Sequence, residues 1–213
     1  MIWNTQFALD VLPPLLEAFV RVTLVVTVVG SLAAAVLGLI WAIALRSLPY
    51  IPAKILSWIL DFIRMTPLPA QLLFLYLTVS TLSAMQVGII VIGIHYSTYM
   101  AESYRSGIES VPKGQWEGAT ALSLPQSRTW RAVIMPQAIR ATIPSLGNWA
   151  IAMFKDTPFL IFIAAPEMVT VARNIGGTTF RYVEPLTIAG LIFLAASYPT
   201  AILMRRLEKR LAY

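Results

Sequence analysis

Between Arg21 and Arg46 lie 24 residues, VTLVVTVVGSLAAAVLGLIWAIAL, without a single charge. A helix rising 1.5 Å per residue would carry that run across a hydrocarbon layer about 30 Å thick. A soluble fold would instead have to bury it on every side. With 58% hydrophobic and 12% charged residues the chain has too little polar surface for that, since soluble domains carry roughly 25% charge. The mean hydropathy of +0.73 agrees, and the expected class is an all-α integral membrane protein. Within the run, Gly30, Ala34 and Gly38 recur at four-residue spacing, a small-residue face that lets a neighbouring helix approach closely.

The remaining crossings follow from apolar runs. A second is expected to open at Thr66-Pro67, Thr capping and Pro in the first turn, and to continue through LPAQLLFLYLTV. A third runs from about Val87 to Tyr104, a fourth begins near Ile143, and a fifth covers about Pro185 to Met204. With five spans and the N-terminus outside, 12 of the 16 Lys and Arg residues fall on the inner side. That bias predicts an N-out, C-in orientation. The net charge of +6 is thereby a topology signal, and nucleic-acid binding is not expected. The first basic residue is Arg21, so no removable signal peptide is expected. The chain reads as one membrane domain over residues 1–213, with a cytoplasmic loop at about 105–142.

The fourth span is irregular. Ile143 to Phe154 gives 12 residues before Lys155-Asp156, and Pro158 to Ala165 only eight after, so neither half crosses alone. Asp156 and Thr157 before Pro158 look like the start of a new helix in a broken span. Broken helices are tolerated where they line a cavity. Lys155 and Asp156 then read either as transport-path charges or as a structural pair.

Other chemistry is sparse. The chain holds no cysteine and a single histidine, His95, which leaves no thiolate catalysis and no multi-histidine metal site within one subunit. There is no G-x-S-x-G, H-E-x-x-H or G-x-x-x-x-G-K-[ST] motif, so neither enzymatic activity nor ATP hydrolysis is expected, and no cofactor.

The loop is the most informative polar segment. Pro112 can open a short helix through GQWEGATALSL, stopped by Pro125, and Ser127 can cap a second, RTWRAVIM, ending before Pro136. Two helices at a fixed angle suit a knob gripped by a soluble partner. The spacing also suits a pair of amphipathic helices on the lipid surface, anchored by Trp116 and Trp130.

The segment EGATALSLPQSRTWRAVIMP at 117–136 resembles the EAA motif of ABC importer permeases. Glu117, Ala119 and Pro136 match it identically and Val133 and Met135 conservatively, while Gly118 and Ser123 stand where that family has Ala and Gly. A turn needing positive φ at position 123 would suit Ser less well than Gly. FIRMTPLPAQLLFLY, AESYRSGIESVPKGQWEGA and MPQAIRATIPSLGNWAIAMFKDTPFL are similar to segments of the polar amino acid (histidine/glutamine-type) branch, and HYSTYMAESYRSGIE and FKDTP to permeases for ectoine and hydroxyectoine.

The resemblance implies a type I ABC importer (MetI-like) permease fold in the bacterial inner membrane. Glu117, Ala119, Ser123 and Leu124 would dock a cytoplasmic ATPase dimer, which binds the ATP. A second permease subunit, sister or self, would complete the pore, and an extracytoplasmic solute-binding protein would deliver a polar amino acid or related zwitterion. The alternative is an ATPase-independent secondary transporter or channel subunit. Such a substrate needs a cation, an anion and aromatic faces. Lys155, Asp156 and Thr157 are candidates, with His95, Tyr96 and Tyr99 on the third span, where His95 and Tyr99 share a helix face. His95 also reads as a hydrogen bond between packed helices, and the tyrosines as packing or interface aromatics.

Overall fold

The computed structural model describes residues 3–211, and all regular structure among them is helical. The first apolar run belongs to a helical stretch longer than expected. α1 (Thr5–Ala18), capped by Asn4 through the Phe7 amide, leads through a π-helical turn at Phe19–Leu24 into α2 (Val25–Ser47). α3 (Tyr50–Met65), α4 (Leu68–Thr78) and α5 (Ala84–Glu109) follow. The elbow comprises α6 (Lys113–Ala121), the short α7 (Gln126–Arg128) and a second π-helical turn, Thr129–Ile134, which runs straight into α8 (Met135–Asp156). A 3-10 segment (Thr157–Ile163), α9 (Met168–Thr179) and α10 (Val183–Leu211) complete the described chain.

Among the described residues, three helical stretches are long and apolar enough to cross a membrane: Thr5–Ser47, Ala84–Glu109 and Val183–Leu211. A fourth arises if Gln126–Ile163 and Met168–Thr179, bent by 46°, act as one span. The expected second span differs most. α4 has only 11 residues, about 16 Å of helix. Thr66 ends α3 rather than capping α4.

Proline chemistry explains this. Ile63 O would normally receive the N–H of residue 67, but Pro67 has none. The Thr66 hydroxyl donates to Ile63 O at 2.9 Å instead. The same device recurs at Thr157-Pro158, where Thr157 Oγ1 donates to Phe154 O at 2.8 Å. Asp156 makes no cap, α8 tightens into the 3-10 segment without a gap, and the fourth-span break falls eight residues later than expected. There Ala164 adopts the left-handed conformation, φ 52°, and Glu167 caps α9. The second elbow helix likewise does not stop before Pro136: the chain widens to a π turn just ahead of that ring and continues as α8.

α2 and α5 form the centre, and the small-residue face is what brings them together. A Cβ added at Gly38 would lie 2.9 Å from both Met100 Cβ and Ser97 O, and one at Gly30 3.2 Å from Met153 Sδ. Val26, Leu72, Ile92, Met100, Met153 and Leu160 pack into one buried cluster around this contact. A second cluster joins α1 to α9 and α10 through Val11, Leu15, Met168 and Ala189. A third, Val111, Ile134 and Ala138 with Trp116 and Trp130, holds the elbow to α5 and α8. α3 buries only Leu60 and exposes Ile51, Ile55, Trp58 and Phe62 along one stripe, as a lipid-facing helix would.

Candidate functional site

The elbow presents its motif residues in graded exposure. Glu117 is exposed with no ion pair or hydrogen bond among the described residues, Ala119 is 4% exposed, Ser123 is exposed and Leu124 half-buried. α6 ends in a compact turn: Leu122 N–H donates to Gly118 O at 3.0 Å, Ser123 N–H to Thr120 O at 2.9 Å and Leu124 N–H to Ala119 O at 3.0 Å. Closing it requires φ 52° at Ser123. The turn does need positive φ at this position, the case in which Ser suits less well than Gly, and a serine carries it. Gly118 is sterically silent, because an added Cβ there would meet nothing within 4 Å.

The two legs meet through their tryptophans. Trp116 on α6 and Trp130 on the second leg pack edge to face, centroids 5.2 Å apart. Arg46, in the last turn of α2, lies 4.8 Å from the Trp130 centroid and 6.0 Å from that of Trp116, within cation–π range. On the outside, Glu117, Leu124 and Trp130 share an open groove of about 650 Å³.

The second constellation lies where α5 meets α4 and α8. His95, Tyr96 and Tyr99 form one aromatic group with Trp149 of α8, with Tyr99 4.7 Å from Trp149 and His95 5.5 Å from Tyr99. Tyr96 donates its phenol to Asp156 Oδ2 at 2.7 Å, tying α5 to the end of α8. His95 Nδ1 lies 3.2 Å from Gln71 Oε1, a hydrogen bond between packed helices. The Gln71 amide in turn donates to Ile63 O at 2.6 Å and to Thr66 O at 3.2 Å, serving carbonyls that the Pro67 break strands.

The structure thus brings His95, Tyr96, Tyr99 and Asp156 together. Lys155 is exposed and makes no ion pair with Asp156, and Thr157 is fully buried with its hydroxyl spent on its own helix. Below the aromatics a cavity of about 360 Å³ is bounded by Arg64, Tyr99, Glu102, Ser103, Ser145 and Trp149 among others. Ser103 and Ser145 lie 2.7 Å apart, and Trp149 Nε1–H donates to Ser103 Oγ at 2.9 Å. Arg64 pairs with Asp61, and Arg105 with Glu102 and Glu109, as intrahelical pairs. The cavity therefore holds both signs of charge beside aromatic faces.

Sequence reasoning passed over Gln71, Trp149, Ser103 and Ser145. For Gln71 and Trp149 the signal was a polar or indole group inside an apolar run, whereas Ser103, between Glu102 and Arg105, carried none. It also passed over Glu167, a fully buried carboxylate whose Oε1 accepts from Thr170 N–H at 2.5 Å while Oε2 has no hydrogen-bond partner among the described residues.

The sequence profile of binding-protein-dependent transport system inner membrane components matches residues 34–213. The probable amino-acid ABC transporter permease protein y4tG of Sinorhizobium fredii is 38% identical, covering 98% of this chain and 94% of its own length. A chain from the crystal structure of an amino acid ABC transporter with histidines superposes with a TM-score of 0.91 at 30% identity, covering 99% of this chain and all of its own length. A chain of the MetNI methionine ABC transporter, in inward-facing conformations, has a TM-score of 0.76 at 18% identity over 94% of this chain and 99% of its own, a likeness of fold alone.

Proposed function

The chain belongs to the family of binding-protein-dependent transport system inner membrane components, and from that premise we propose that it moves polar amino acids inward by alternating access, driven through its elbow by a separate ATPase. As a member of that family it is a non-catalytic, multi-pass permease subunit of the inner membrane, working with an ATPase and a binding protein. The observation that carries the mechanism is the elbow itself. Two short helices are fixed by a hydrogen-bonded turn and a tryptophan pair, with Glu117 and Leu124 on the outward groove. A rigid, polar, exposed knob transmits force from a soluble motor, whereas helices lying on lipid would turn their apolar side outward.

The substrate reading rests on the cavity beside Tyr99 and Trp149. Arg64 suits a carboxylate, and Glu102 and the aromatic faces of Tyr99 and Trp149 suit an ammonium group. The names of the relatives speak for amino acids, and none of those reported is an ectoine permease. The reading therefore stops at polar amino acids. Five crossings with the N-terminus outside follow if α3 and α4 cross jointly, kinked at Thr66-Pro67. A second permease copy, or a sister chain, completes the path, because five spans are few for enclosing a pore alone.

Glu117→Lys reverses charge at an exposed, unpaired position and leaves the fold intact. In reconstituted vesicles it is expected to cut ATP-driven uptake of labelled histidine, glutamine or arginine at least tenfold while membrane insertion is unchanged. Wild-type uptake and ATPase association in that variant would refute the docking role.

A further inference from the structure

Arg46 lies against the ring faces of Trp116 and Trp130, so its N–H groups, which lie in the guanidinium plane, remain available. Among the described residues, the side chains of Arg46, Ser47, Tyr104 and Gln126 have no hydrogen bond or ion pair. All four line a single cavity of about 410 Å³ between the ends of α2 and α5, the second leg of the elbow and the start of α8. Four solvent-accessible polar side chains with no protein partner, gathered in one place, can turn their donors to a ligand with several acceptor oxygens. Its other wall is hydrocarbon, including Leu39 and Ile43 of α2 and Ile139 of α8.

That apolar wall does not end at the cavity. Leu32, Val36, Ile40 and Ile43 are exposed at three- and four-residue spacing, a lipid-facing stripe along α2 that runs into the cavity at Ile43. A free phosphate would satisfy the donors and leave the apolar groove empty. A hydrocarbon tail alone would leave the guanidinium unmet. We propose that this cavity binds an anionic phospholipid of the inner leaflet, with its phosphate on Arg46 and the neighbouring donors and its acyl chain in the groove between α2 and α8. Basic pockets between helices at the cytoplasmic face have the required character, and charge-assisted hydrogen bonds from Arg supply the affinity. Because Arg46 also touches both tryptophans, the bound lipid steadies the joint between the legs of the elbow.

The choice of leaflet rests on the orientation proposed above; the site itself does not. Native mass spectrometry of the purified transport complex in detergent, titrated with phosphatidylglycerol or with phosphatidylcholine of the same chains, tests it. Phosphatidylglycerol is expected to be retained over phosphatidylcholine. Arg46→Ala should weaken that retention about tenfold or more, the ratio expected for a lost charge-assisted hydrogen bond, and Arg46→Lys should restore most of it. Ile139→Trp, which fills the groove and leaves Arg46 in place, should weaken retention as well and decides the matter if Arg46→Ala does not assemble. Equal retention in Arg46→Ala or Ile139→Trp, equal retention of both lipids, or full displacement by inorganic phosphate would each overturn the proposal. Retention is read whichever leaflet the cavity faces, so an error of orientation leaves this result standing.

Discussion

At the scale of single residues, Ser123 shows a cost that the fold carries at its working end. A non-glycine residue held at φ 52° pays roughly 1–2 kcal/mol for its Cβ. Glycine removes that cost but adds conformational freedom to the unfolded chain, which returns part of it. Ser123→Gly should therefore stabilise the elbow turn by about 0.5–1 kcal/mol, read as slower hydrogen exchange at the amides of 122–124. Ser123→Val, β-branched and left-handed, should speed exchange there. Faster exchange in the glycine variant would mean that the turn is not strained. The sequence could raise positive φ only as a condition, because the resembling family places Gly at this position and Gly adopts either sign of φ. That Glu167 would be buried was not legible, since a carboxylate after Pro166 reads equally well as an exposed helix cap.

At the scale of elements, Thr-Pro steps shape the membrane region, and they reverse an inference from sequence. Thr followed by Pro has the composition of a helix start, yet in both places the threonine serves the helix that precedes it, donating to the carbonyl the proline cannot reach. Local sequence cannot separate the two roles, because a cap and a C-terminal repair use the same hydroxyl in opposite directions. α5 was legible by contrast: a Ser83 and Gln86 capping box opens it and an unbroken apolar run follows. At the first Thr-Pro step the repair needs a distant partner, Gln71, oriented by His95. Gln71→Leu strips Thr66 O of its side-chain donor and leaves Ile63 O with the threonine hydroxyl alone. It should cost about 1–3 kcal/mol, seen as a lower unfolding midpoint in detergent, whereas Gln71→Glu should retain the His95 contact and lose the donors. An unchanged midpoint in Gln71→Leu would show that water serves these carbonyls.

At the scale of the whole molecule, the open quantity is how many times the chain crosses, and charge and length press on it together. Three long helices and one bent pair give four crossings. With four and the N-terminus outside, the elbow with Arg105, Lys113, Arg128, Arg131 and Arg140 would face outward, and with four and the N-terminus inside, Arg46, Lys54 and Arg64 would, each against the positive-inside bias. A joint α3–α4 crossing repairs this. Its 16 and 11 residues give about 40 Å of helix, enough to cross even when kinked. The break strands carbonyls that Gln71 and Thr66 satisfy from within, as a crossing requires. The chain has no cysteine, so introduced thiols report without background. Ser80→Cys, exposed in the α4–α5 turn, should react with an impermeant maleimide on intact cells. Tyr50→Cys, 80% exposed at the start of α3 and four residues beyond Arg46, should react only after permeabilisation. Labelling of both from the same side would place α3 and α4 together on one face of the membrane and end the five-crossing reading. The opposite-sided result fixes Arg46 at the inner face, where the elbow can be pushed by a motor and steadied by lipid at once.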